Sequence, residues 1–353
     1  MLLGVVLCVA ALVAPAAGAA DAHGARSRPV VPQVARIAVG PAAVPDAALS
    51  PSRARTVLAS SSWGGQYTTA SGETVTILVS DSYPQDQTLP QQWANFLGSL
   101  VHGPELSKLT MFLAPAAEVE GTCGEGALAC YSAADSTLVA PAEDPSPEFS
   151  AEAVVTHEYG HHVAANRSDA PWRALDYGTK RWASYEQVCS GAQTGKFFPG
   201  AESQPNYQLN PGEAFAETFR VLNERTAGLT EPPWQVVSQS LYPDDAALAA
   251  VQQDVTAPWL GATVFTRTGS VAKTKSRTFT VATPLDGTLR ASVRGTAGSR
   301  LAVRVLRGTT LLAHGLGGRS ATASATICGQ RAVRIKVTRL AGSGAFKLAI
   351  AKP

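Results

Sequence analysis

The stretch His157-Glu158-Tyr159-Gly160-His161 carries the most chemistry in this sequence. Two imidazoles four residues apart share one helical face, about 40° apart around the axis, so both reach one metal ion. Glu158, one residue along, stands close enough to hold a water on that metal without ligating it, the HExxH arrangement of zinc hydrolases. Val154 and Val155 before the motif, and Val163, Ala164 and Ala165 after it, describe a buried helix. Three ionisable side chains are costly there unless a metal and hydrogen bonds satisfy them. His162 falls on another face and reads as a surface or structural residue.

A catalytic zinc needs a third protein ligand and an open fourth position. The metzincin solution is excluded, because Arg167 stands where the third histidine belongs and Ala164 where the preceding glycine belongs. Three carboxylates remain as candidates: Asp176, Glu186 and Glu213. Only Glu213 has a supporting context, the run Asn210-Pro211-Gly212-Glu213-Ala214-Phe215-Ala216-Glu217. On a helix Glu213 and Glu217 share a face, so one can bind metal while the other orients a ligand histidine. Phe215 and Phe219 recur at the four-residue spacing of a packed helix.

HEYGH followed some fifty residues later by EAFAETFR resembles the gluzincin class of zinc peptidases. It is most similar to the group containing the catalytic domain of anthrax lethal factor, and more distantly to thermolysin. The likeness covers Val154 to Asn223. It implies one zinc per chain held by His157, His161 and Glu213, Glu217 hydrogen-bonded to a ligand histidine, and Glu158 as general base. It further implies a tyrosine shortly before the ligand glutamate that steadies the tetrahedral intermediate. Tyr207 is the candidate, although the family's own spacing falls on Asn206. The substrate so implied is a protein or peptide. Two other readings keep the same residues: a zinc hydrolase acting on a cell-wall peptide or amide, and a non-catalytic surface protein that retains zinc for stability.

These side chains must be positioned by particular elements. One helix is expected from about Pro147 to Asn166, with Ser146 as N-cap and Pro147 at its first position. A second is expected from about Pro211 to Thr226, capped by Asn210 and followed by Gly228. Upstream, Thr74–Ser80 and Leu109–Leu113 read as strands with a helix over Pro90–Leu100 between them, and Ser136–Ala140 reads as a further short strand. Thr74–Ser80 is the expected edge against which an extended peptide lies. The segment Trp172–Tyr185, with Tyr177 and Trp182, reads as core and covering loop, with the lining of a substrate pocket as the alternative. After Pro258 short alternating runs separated by turn residues predict a small β-sandwich, similar to those appended to secreted bacterial peptidases. The expected fold is an α+β zincin-like catalytic domain over 61–260, followed by an all-β sandwich over 261–353 with possible cell-wall contact.

Composition sets the outer limits. With 45% hydrophobic and 16% charged residues the chain describes a globular protein, and its net charge of +2 gives no footprint for nucleic acid or for a membrane surface. Leu2–Val13 is apolar and runs into Ala17-Gly18-Ala19-Ala20, a leader over 1–20 cleaved near Ala19-Ala20, which predicts secretion, with an uncleaved membrane anchor as the alternative. Residues 21–60, rich in Pro and Ala, read as a linker or pro-segment. Loss of the leader removes Cys8 and leaves four cysteines, hence two disulfides in an exported chain. Cys123 and Cys130 flank a Gly-rich turn and are paired on that ground, which leaves Cys189 with Cys328 to tie the C-terminal region to the catalytic one. The chain is expected to be a monomer.

Overall fold

The run TVTILVS becomes a strand because its Val75, Ile77 and Val79 alternate into the core. This is seen in a computed structural model, which describes residues 62–229, 234 and 237–353. The expected leader and the 21–60 segment lie outside the described residues. The strand, β2 (Thr74–Ser80), belongs to a five-stranded sheet ordered β1-β2-β3-β5-β4. There β1 is Ser62–Thr68, β3 Thr110–Leu113, β4 Cys130–Ser132 and β5 Thr137–Ala140. Helix α1 (Thr88–Ser99) connects β2 to its parallel neighbour β3, and β5 runs parallel beside β3. The expectation that β2 is the free edge is therefore corrected. Ser62–Thr68 covers it with an antiparallel strand, so the edges are β1 and the three-residue β4.

After helix α2 (Ala116–Cys123) comes α3 (Ala151–Ala165), the helix of the HEYGH motif. It begins later than the sequence suggests. Ser146 spends its hydroxyl on the N–H of Glu148 and its backbone on a bridge to Phe149. The cap is Ser150, whose Oγ accepts the N–H of Ala153 at 3.1 Å, while Asp144 accepts that of Ala151. A Ser-Pro pair starts a turn as readily as a helix, and here the turn won. Three short helices follow: α4 (Ala174–Tyr177), α5 (Lys180–Tyr185) and α6 (Val188–Gln193). Helix α7 (Pro211–Thr226) has the expected bounds, with Asn210 Oδ1 accepting the N–H of Gly212 at 3.0 Å. Helix α8 (Asp245–Thr256), capped by Asp244, was not anticipated.

The remaining strands form two four-stranded antiparallel sheets, β10-β9-β12-β7 and β11-β8-β13-β6, around their own apolar cluster. They are β6 (Thr263–Ser270), β7 (Ser276–Ala282), β8 (Gly287–Gly295), β9 (Arg300–Arg307), β10 (Thr310–Gly317), β11 (Ser320–Ile327), β12 (Ala332–Ala341) and β13 (Ala345–Lys352). Disulfides join Cys123 to Cys130 and Cys189 to Cys328, the second linking the helical part to the turn after β11. Beside that bond lies a buried polar joint. Lys180 Nζ meets the Asp169 carboxylate at 2.7 Å and donates to the carbonyls of Ala170 and Asp286, both at 2.9 Å. Asp286 in turn donates its N–H to Ser184 Oγ and pairs with Arg331. The described chain is thus an α+β fold with several sheets, and none of its described helices is long and apolar enough to cross a membrane.

Candidate metal centre

Two helices build the site. His157 and His161 lie one turn apart on α3, and α7 brings Glu213 against them from its first turn. Their approach depends on Gly160: a Cβ there would lie 2.8 Å from Ala216 Cα and 3.1 Å from its carbonyl oxygen. Any side chain at 160 would therefore push α7 away from α3. The three donor atoms form a near-equilateral triangle. His157 Nε2 is 3.3 Å from His161 Nε2, and each is 3.4 Å from Glu213 Oε2. Among the described residues this is the group of His, Cys, Asp and Glu side chains that could hold a metal ion, and all three members are buried.

The surroundings fix His157 and Glu213. His157 Nδ1 donates to Glu217 Oε2 at 3.1 Å, which turns its other nitrogen toward the triangle. Glu217 is held by Arg220, whose Nε and Nη2 reach its two oxygens at 3.0 and 2.6 Å. Arg220 also pairs with Glu224 at 2.6 Å. The Tyr207 hydroxyl donates to Glu213 Oε2 at 3.1 Å. Glu158 is buried and, with His157, Glu217 and Arg220, lines a cavity of about 20 Å³, room for about one water.

Charge follows from this packing. Burial lowers the pKa of His157, but its hydrogen bonds to the Glu213 and Glu217 carboxylates outweigh this and raise the value to about 9. Burial raises that of Glu217, and the charge of Arg220 with the His157 contact overcomes it, leaving about 2. Glu213 is held well below the usual carboxylate range, where the two histidines overcome its burial. Two carboxylates thus favour positive charge at His157, a charge that a bound cation can supply instead.

The sequence candidates separate cleanly. His157, His161, Tyr207, Glu213 and Glu217 come together and Glu158 shares the small cavity beside His157 and Glu217, whereas Asp176 pairs with Arg173 at 3.6 Å and, like Glu186, stands outside the triangle. His162 is structural. Its Nε2–H donates to the Glu105 carbonyl at 2.8 Å and its Nδ1 accepts the Tyr131 hydroxyl at 2.9 Å. Burial lowers its pKa to about 4 and keeps it neutral. Arg167 pairs with Glu105 at 2.7 Å. Trp182 is core against Phe215, and Trp172 stacks on Tyr177. Sequence reasoning missed two residues that position the site. A glycine inside a buried helix was the available signal for Gly160, and a cation three residues after Glu217 was the signal for Arg220.

No family model matches the chain, and no curated protein matches it. Among solved structures, one similar chain is a family GH115 4-O-methyl-α-glucuronidase with specificity for decorated arabinogalactans, at 11% identity and a TM-score of 0.20. The alignment covers 56% of this chain and 37% of the glucuronidase, and a likeness this low carries no argument about fold or function.

Proposed function

We propose that this chain is an exported zinc-dependent endopeptidase of the gluzincin type, with the metal held by His157, His161 and Glu213 in a zincin-like catalytic part. The donor triangle carries the reading. Bonds of about 2.0–2.1 Å at the tetrahedral angle separate neighbouring ligand atoms by about 3.3–3.4 Å. The three separations here are 3.3, 3.4 and 3.4 Å. Two imidazoles with one carboxylate suit zinc better than the oxygen-seeking calcium and magnesium ions. Export is supported by the leader pattern and by two disulfides, which persist in oxidising compartments.

Zinc, when bound, supplies Lewis-acid polarisation of the scissile carbonyl and brings the pKa of a water toward about 7. The chain's own residues do the remainder. Glu158 takes the proton of the attacking water and returns it to the departing amine as the carbon–nitrogen bond breaks and the hydroxyl joins the carbonyl carbon. Tyr207, whose hydroxyl donates to Glu213 Oε2 in this structure, turns from it to donate toward the oxygen that gains charge. Glu217, clamped by Arg220, keeps His157 in its ligating tautomer.

One observation favours a second reading, a metal that only stabilises the fold. His157 and His161 are 5% exposed and Glu213 7%, and structural zinc sites are closed where catalytic ones keep an open position. The presence of Glu158 argues the other way, since a structural ion has no use for a base. Metal content and casein hydrolysis decide between them. Wild type is expected to bind one zinc per chain and cleave casein. Glu158→Gln should keep the zinc and lose activity by about 10²–10⁴-fold, and Glu213→Ala should lose both. Full activity in Glu158→Gln ends the peptidase reading. Zinc that raises the melting temperature of an inactive wild type establishes the structural one.

A further inference from the structure

The net charge of +2 conceals a division of the chain. Residues 261–353 contain sixteen Lys and Arg and one acid, Asp286, while residues 1–260 contain thirteen Lys and Arg and twenty-six Asp and Glu. Asp286 is buried against Arg331, so no carboxylate of the sandwich reaches its outer faces. On the sheet β11-β8-β13-β6 one outward row runs Ser320, Arg294, Lys347, Thr268, each directly opposite the next. Like charges directly opposite one another destabilise a sheet, and no acid of either sheet offsets Arg294 and Lys347. The next row holds Thr322, Ser292 and Ala349, small enough to leave a shallow open concavity of about 640 Å³. Arg319, in the turn before β11, completes its cationic lining.

We propose that this face binds an acidic polysaccharide. Carboxylates along such a polymer meet Arg294, Lys347 and Arg319, and relieve the repulsion between the first two. Between the charges, the hydroxyls of Ser292, Thr322 and Thr268 offer donors and acceptors to sugar hydroxyls. An open trough admits a polymer passing through it. Two other polyanions fit less well. Single-stranded nucleic acid needs aromatic platforms, and the one aromatic residue at this trough, Phe346, belongs to the sandwich core. A membrane surface needs apolar side chains to insert, and no large exposed apolar residue lines the trough. Two disulfides also fit an oxidising compartment outside the cell, where acidic glycans are met.

The opposite sheet supplies the control. There Arg304 and Lys336 are also directly opposed, beside His314, so removing them subtracts the same charge from the other face. The test uses the full chain and fluorescently labelled polygalacturonate, and needs neither metal nor turnover, so it stands apart from the peptidase proposal. Wild type should bind with an affinity that falls at least about tenfold between low and physiological salt. R294S/K347S should weaken binding by about tenfold or more, and R304S/K336S by less than about threefold. R319S, which alters no strand residue, should weaken it severalfold and keeps the test open were the double variant to misfold. Methyl-esterified polygalacturonate should not bind. Equal losses in the two double variants, tighter binding to oligo(dT) or to phosphatidylglycerol vesicles, or no binding to polygalacturonate, each overturn the proposal.

Discussion

His157 is flanked by a carboxylate at each ring nitrogen, Glu217 at Nδ1 and Glu213 at Nε2. That places an unusual demand on Glu217, which must stay ionised in the core, and Arg220 meets it with two hydrogen bonds. On the proposed zinc reading, Glu217→Gln should keep both helices and weaken zinc affinity by about 10–100-fold, measured by competition with a chromophoric chelator. Arg220→Leu should act in the same direction, because it leaves a carboxylate buried beside His157 without its cation. Unchanged affinity in Glu217→Gln would remove that residue from the support of the site. At this scale the sequence was informative where helical spacing converts residue number into direction. His157 with His161, and Glu213 with Glu217, are four apart and do face one way. Arg220 stayed hidden because an arginine on a helix ordinarily faces water, and only the packing of α7 shows that this one is buried.

At the scale of elements, the distance between α3 and α7 decides whether the triangle closes. Gly160 sets it, since a methyl group there would fall inside the van der Waals envelope of Ala216. Alanine ordinarily favours a helix over glycine by about 1 kcal/mol. Here the neighbour is backbone and cannot turn aside, so Gly160→Ala should instead destabilise by about 1–3 kcal/mol and weaken metal binding with it. Urea denaturation beside a metal titration would show this, and a gain in stability would contradict the close crossing. The elements also show where periodicity fails. Helix α7 was legible to its ends because Asn-Pro and a trailing glycine mark both. For α3 two serines compete, and only the partners of Ser146 and Ser150 reveal which one caps. Strand β11, SATASATI, shows little hydrophobic contrast, because alanine fills three of its four buried positions. The placement of β2 inside its sheet is a long-range fact, set by β1, which local pattern does not encode.

Across the whole molecule the sequence told composition but concealed arrangement, since a total of +2 averages a basic sandwich with an acidic remainder. The two parts meet at a joint that is itself buried and charged, where Asp169 Oδ1 pairs with Lys180 and Oδ2 has no hydrogen-bond partner. Burial pushes the Asp169 pKa up to about 7, and neither the charge nor the hydrogen bond of Lys180 brings it back. The other groups acting on it are Asp254 and Asp286, which raise it further and are themselves paired with Arg181 and Arg331. The rings of Trp172 and Trp259 cover Lys180 Nζ at 5.5 and 4.8 Å. A carboxyl that titrates near 7 folded and near 3.8 unfolded keeps a proton in the folded state that the unfolded chain has released. Stability from this group is therefore full below about pH 4 and declines as the pH rises to about 7, by at most about 1.4 kcal/mol per unit. Glu217, with its pKa at about 2, works in the opposite sense and loses its contribution only in stronger acid. Comparing wild type with Asp169→Asn cancels such contributions from elsewhere. Between pH 5 and 7 the wild type should lose about 1–3 kcal/mol relative to the variant in urea denaturation. Parallel stability curves for the two chains would mean that Asp169 is ionised throughout, and that the joint is a fixed ion pair insensitive to pH in this range.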